Sequence, residues 1–217
     1  MDRSEAAARR LVAAKSAVDA AYQARDWTAA GSAHKEQLAA ERELARVRGE
    51  PYADPLDLGL RWDTGAPIPH VISGSGRTFV IFLRLEPDPD WDGTYVRVVS
   101  PGDPAPAALG LVEFTGAYLT SFGGLNDEAL AGHPLSGRGL TAYRAFVVRN
   151  SAWIAQAEQH NSVHPCHRVG WHDHYNHYVL TFHDETFECI ARSWRAEAMH
   201  CSLAEAIVAV GAKIVNH

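Results

Sequence analysis

The sequence predicts an α+β protein: a mostly antiparallel β-sheet with an N-terminal helical hairpin and a C-terminal amphipathic helix packed on the sheet. Three observations predict it. Runs rich in β-branched and aromatic residues recur between positions 77 and 191 without regular alternation with crossover helices, so neighbouring strands should pair antiparallel. Residues 3–48 are rich in Ala, Glu, Arg and Lys, the composition of helix. Ser202-Leu203-Ala204-Glu205 forms a capping box ahead of a stripe of Leu203, Ile207, Val210 and Ile214.

The chain has 217 residues, 47% of them apolar, enough to bury a sizeable core. Its net charge of −6 is spread along the chain and leaves no basic stripe for a phosphate backbone, so nucleic acid is not expected as a partner. No apolar run reaches the roughly 18 residues of a membrane span, and the N-terminus lacks the unbroken apolar core of a secretion signal. Cys166, Cys189 and Cys201 are an odd set without C-x-x-C spacing, as expected of a reducing, cytoplasmic setting rather than a disulfide framework.

In chain order, residues 1–48 are read as the hairpin. Leu11, Val18 and Tyr22 recur on one helical face, and Asp26 caps a second helix from Trp27 to about Val47. Such a hairpin either covers a sheet or pairs with another copy, and His34 within it is read as a surface residue. Residues 49–76 hold four prolines among scattered glycines, a Pro/Gly-rich connector in which Leu56, Leu58, Leu60 and Trp62 alternate as an edge strand would. The remainder, 77–217, is the antiparallel α+β domain. Its strands are expected at Arg77–Leu85, Thr94–Val99, Leu109–Phe114, Ala117–Phe122, Ala142–Val148, Tyr178–Phe182 and Phe187–Ala191. The acidic turn of Asp88, Asp90 and Asp92 lacks the ligands of a calcium loop and is read as solvated. Ser151 is expected to cap a short helix from Ala152 to about Gln159.

Function is sought in two stretches. Seven of the twelve histidines fall between His160 and His183, in a polar loop running into a strand hairpin that turns at His183-Asp184-Glu185-Thr186. The spacing of His172, His174 and His177 is compatible with one divalent cation such as Zn, Mn, Fe or Ni. The run HDHYNH departs from the H-x-H-x-D-H ligand pattern of metallo-β-lactamases, because Asn176 stands at the acidic position. Period-two alternation places His177 and His183 on one strand face, and Glu188 on the returning strand needs a partner if buried. Glu188, Asp184 and His183 are the acid/base candidates. Cys166 carries no nucleophile signature around it and is read as unreactive.

The second stretch is the glycine-rich loop 123–140, too long to be a plain turn. It contains neither a Walker nor a dinucleotide fingerprint, so phosphate binding is not supported. His133 and Arg138 from this loop, with Trp171, are the candidates for binding a small-molecule substrate. The first expectation is a metal-dependent small-molecule hydrolase or lyase. The second is a non-catalytic ligand-binding or interaction domain that forms a homo-oligomer through its N-terminal helices. The plain alternative to both is that the histidines are ordinary polar residues of a surface loop.

Overall fold

Helix α1 (Arg3–Gln23) and helix α2 (Trp27–Arg48) form the expected antiparallel hairpin in a computed structural model that describes residues 2–87 and 99–215. The chain reverses at Arg25, in the left-handed region at φ 56°, and the Asp26 carboxylate then accepts the Ala29 N–H at 2.9 Å. Ala7, Ala14 and Ala21 form the buried line of α1, where the absence of bulk lets the helices approach. Leu11 and Val18 flank that line. Tyr22, placed on the same face by sequence, lies beyond it at the hairpin tip, exposed and edge-on to Trp27.

The β part consists of two antiparallel sheets rather than one. The five-stranded sheet has the order β1-β6-β7-β8-β5, from β1 (Tyr52–Leu56), β5 (Leu119–Gly123), β6 (Ala145–Arg149), β7 (Asn176–Thr181) and β8 (Thr186–Ala191). The four-stranded sheet has the order β2-β3-β4-β9, from β2 (His70–Gly74), β3 (Arg77–Leu83), β4 (Ala107–Thr115) and β9 (Ser193–Cys201). Val80, Phe82, Val112 and Phe114 on one side meet Tyr178, Leu180, Phe187 and Cys189 on the other in the core between the sheets. The opposite face of the four-stranded sheet packs Phe79, Ile81, Leu109 and Leu111 against Leu203, Ala206 and Val210 of helix α4 (Leu203–Val215). Ser202 and Glu205 close the expected capping box ahead of α4, with reciprocal bonds of 2.9 and 3.2 Å.

Residues 49–76 do more than connect. They supply the edge strand β1 to one sheet and β2 to the other, and Leu58 and Trp62 are buried between the sheets. Pro55 is tolerated in β1 because an edge strand has one ladder side without a partner. Strand β9 pairs with β4 along its whole length and has no counterpart in the sequence reading. Its Ala, Glu, Arg and Met content favours helix, and tertiary pairing overrides that preference. The buried Glu113 of β4 accepts from Arg77 at 2.7 Å and Arg195 at 2.5 Å, tying β9 to the sheet. Burial opposes the Glu113 charge, but the two guanidiniums hold its carboxyl below the ordinary carboxylate range. Apart from Val99, the expected strand Thr94–Val99 and the acidic turn of Asp88, Asp90 and Asp92 lie outside the described residues. Among the described residues no helix is long and apolar enough to cross a membrane.

Candidate functional site

Alternation along β7 sends Tyr178 and Leu180 into the core between the sheets, so His177 and Val179 emerge on the outer face of the five-stranded sheet. On β8 the same rule buries Phe187 and Cys189 and turns Glu188 outward. Pairing places Val179 opposite Glu188 and His177 opposite Ile190, which makes His177 and Glu188 diagonal neighbours on one face. Val148 of β6 stands beside His177, and Ser121 of β5 beside Glu188.

The glycine-rich loop roofs this face. Leu135 and Leu140 are buried on Phe146, Val148 and Val179, which anchors the loop and brings in His133, two residues ahead of Leu135. A second anchor comes from the hairpin, where the buried Glu41 of α2 accepts the Gly139 N–H at 3.2 Å. Gly139 has φ 91°, and a β-carbon there would stand 2.9 Å from the Ala53 carbonyl oxygen, so only glycine fits.

Glu188 lies between two imidazoles: His133 Nε2 is 3.4 Å from Oε1 and His177 Nε2 is 2.8 Å from Oε2. The remaining ring nitrogens determine the protons. The Leu135 backbone N–H donates to His133 Nδ1 at 3.1 Å, so the proton of that ring sits on Nε2 and points at Glu188. His177 Nδ1 is 2.9 Å from Ser151 Oγ, which also accepts the Ile154 N–H at 3.2 Å as the cap of helix α3 (Ala152–Asn161). The arrangement that satisfies every partner has the Ser151 hydroxyl donating to Nδ1 and His177 Nε2–H donating to Glu188. Burial opposes the charge of Glu188, but the two imidazole donors override it and hold its carboxyl down at about 2.

His133, His177 and Glu188 line a cavity of about 510 Å³. Pro51, Pro134, Leu135, Val148, Ala152 and Trp153 make it largely apolar, with Ser121, Gln156 and Arg138 at its margin. Arg138 is paired with Glu50 at 3.3 Å. The Trp153 ring meets His177 edge-on at 5.1 Å.

Of the residues nominated from sequence, the fold brings Glu188, His133, Arg138 and His177 together and leaves the others elsewhere. His172 Nδ1 is 2.9 Å from Glu158 Oε2, facing α3, and His174 is exposed. The three histidines chosen as metal ligands therefore do not converge, because His177 opens a strand on the outer face while the other two sit on the 3-10 turn Trp171–His174. Among the described residues no group of three or more His, Cys, Asp or Glu side chains is set to hold a metal ion. His183 does not join His177. Its Nδ1 lies 2.7 Å from the Tyr143 hydroxyl and 3.1 Å from Asp127, to which Tyr143 donates at 2.6 Å. Burial, with Asp127 beside it, pushes the Tyr143 hydroxyl up to about 12. Asp184 is exposed in the turn, and Trp171 packs between Tyr118 and Tyr175 rather than lining the cavity. Cys166 is exposed.

Sequence reasoning missed Ser121, Trp153 and Gln156, and read Ser151 only as a cap. Sheet register assigns Ser121, and Ser151 becomes visible only with its imidazole neighbour in place. Comparisons with protein-family models, with curated proteins and with solved structures found no match.

Proposed function

We propose that this protein binds a small molecule with an apolar body and a cationic, N–H-donating head, received by Glu188 in the cavity on the outer face of the five-stranded sheet. The observation that carries this reading is a carboxylate kept ionised by two imidazole N–H groups inside a cavity of largely apolar surface. With both rings neutral the trio is an anion. The Arg138 cation at the margin is already engaged by Glu50. Trp153 adds an aromatic wall, which favours ammonium and guanidinium heads further. Ligand sites of this size are commonly apolar with a few convergent polar groups.

A metal-dependent hydrolase or lyase at the same place has less physical support. Ligation by His133 Nε2 needs a free lone pair there, and the Leu135 N–H donated to Nδ1 puts the proton on Nε2 instead. Elemental analysis together with Zn²⁺, Mn²⁺, Fe²⁺ and Ni²⁺ titration measures the two readings against each other: one tight equivalent lost in His133→Gln would favour the metal.

The direct test is calorimetry and thermal shift with alkyl and aryl amines, amidines and guanidines beside matched carboxylates and alcohols. Cationic ligands are expected to stabilise the protein by about 2.7 kcal/mol at a hundredfold excess over Kd, and Glu188→Gln to abolish the effect. Equal binding of carboxylates, or full binding by Glu188→Gln, would overturn the assignment.

A further inference from the structure

We propose that Ser151 is a nucleophile and that Ser151, His177 and Glu188 form a relay for hydrolysing small carboxylic esters, an activity beyond ligand binding at Glu188. The neutral His177 ring offers one lone pair, at Nδ1, and the Ser151 hydroxyl lies on it at 2.9 Å. On the far side of the ring Nε2 donates to Glu188 at 2.8 Å. Hydroxyl, base and anion therefore stand in series, with the anion placed to stabilise the imidazolium that forms when the base takes a proton. Here Nδ1 rather than Nε2 faces the serine, and either imidazole nitrogen accepts a proton. His133 secures the second oxygen of Glu188, a positioning contact that leaves Oε2 for His177.

The backbone presents the hydroxyl. Strand β6 ends at Arg149, Asn150 takes the left-handed conformation at φ 52°, and α3 begins just past Ser151. That sharp strand-to-helix corner places Oγ at the helix N-terminus, whose partial positive charge favours developing negative charge on oxygen. Ser151 also lines a cleft of about 450 Å³ with Asn150, Ile154, His172, Tyr175 and Asn176, room for an acyl group beside the hydroxyl. The capping role of Ser151 uses only a lone pair of Oγ, which accepts the Ile154 N–H. Capping gives no reason for the hydroxyl proton to point at a base backed by a half-buried carboxylate, and Asn or Asp would cap as well.

In the first half-reaction Ser151 Oγ attacks the ester carbonyl carbon while His177 Nδ1 takes the hydroxyl proton. The bond from carbonyl carbon to alkoxy oxygen breaks, and the alcohol leaves with that proton. Water then gives a proton to Nδ1 and attacks the acyl-Ser151 carbonyl, releasing the carboxylic acid and returning the proton to Oγ.

The test treats full-length protein with a fluorophosphonate and, separately, with p-nitrophenyl acetate. One phosphonyl adduct on Ser151 by peptide mass mapping and a stoichiometric burst of p-nitrophenol are expected. Ser151→Asn keeps the helix cap without the hydroxyl, so it should retain the wild-type melting temperature while losing adduct and burst. His177→Gln should slow acylation by about 100-fold or more. A folded wild type without adduct or burst would overturn the proposal, as would Ser151→Asn reacting at the wild-type rate. Amine binding keeps the two readings apart: Ser151→Asn binding amines without acylation leaves the Glu188 cavity standing, and a wild type that acylates without binding amines removes only the cavity reading.

Discussion

Two carboxylates in this molecule each sit between a pair of imidazoles, in different physical settings. Glu188 lies 3.4 and 2.8 Å from His133 and His177, and Glu158 lies 3.0 and 2.9 Å from His167 and His172. Distance alone would not separate them. The side chains of His133 and His177 are 5% and 7% exposed, against 14% and 32% for His167 and His172. The donors to Glu188 are also held from behind, one by a backbone N–H and the other by a serine that caps a helix. Glu158 instead fastens the surface segment 162–174 to α3. The difference teaches that a carboxylate becomes a site when its donors are dry and immobile, and that the number of histidines nearby says little about it.

The largest expected effect breaks the two triplets in turn. Glu188→Ala leaves two N–H donors facing a cavity without an acceptor and should cost about 3 kcal/mol of stability in urea unfolding. Glu158→Ala, whose imidazole partners are the more exposed pair and can turn to water, should cost less than about 1 kcal/mol. Equal losses would remove the distinction between a built site and a loop clasp.

Acid titration sharpens the same contrast. The Glu188 carboxyl is lowered from 4.5 to about 2 by its imidazole partners against the opposing effect of burial. Below pH 4.5 the unfolded chain takes up a proton that the folded chain refuses. The stability contributed by Glu188 is therefore fully present above about 4.5 and lost as pH falls through about 2. By pH 3 the wild type should have lost roughly 2 kcal/mol from this source, and Glu188→Gln, with nothing to titrate, should lack that part of the acid limb. Urea midpoints collected between pH 3 and 6 for both proteins give the comparison, and parallel curves would place the imidazole donors elsewhere.

Much of the sheet side of the site was legible in the sequence. Alternation in the run from His177 to Thr181 fixes which side chains share a face, and the short turn after Phe182 sets the hairpin that brings Glu188 back. The roof was not legible. His133 is 55 residues from Glu188, and it arrives because Leu135 and Leu140 are buried on the outer face of the sheet, a tertiary event with no local period. The density of histidines misled for a related reason: composition reports solvated loop, whereas convergence needs fixed backbone. The second sheet had a trace in the continuous apolar run Phe79–Leu83, which suits a strand covered on both faces. Strand β9 had none, since its residues prefer helix and only pairing with β4 decides otherwise.

The smallest expected effect concerns His174 and Asp184, both nominated by the histidine-rich segment and both exposed in the fold. His174 ends the 3-10 turn Trp171–His174, and Asp184 stands 4.0 Å from His183 Nε2 at the hairpin turn, outside the lining of the Glu188 cavity and of the Ser151 cleft. Neither holds a buried partner whose loss would leave an orphaned charge. Exposed substitutions of this kind shift stability by no more than about 0.5 kcal/mol. His174→Asn and Asp184→Asn should therefore leave urea midpoints, amine binding and ester turnover at wild-type values, while His133→Gln on the buried triplet weakens amine binding. Loss of amine binding or turnover in His174→Asn would mean that segment 162–174 closes over the site in solution, and the same loss in Asp184→Asn that the turn between β7 and β8 reaches it; either would redraw the division between the built site and the loop clasp.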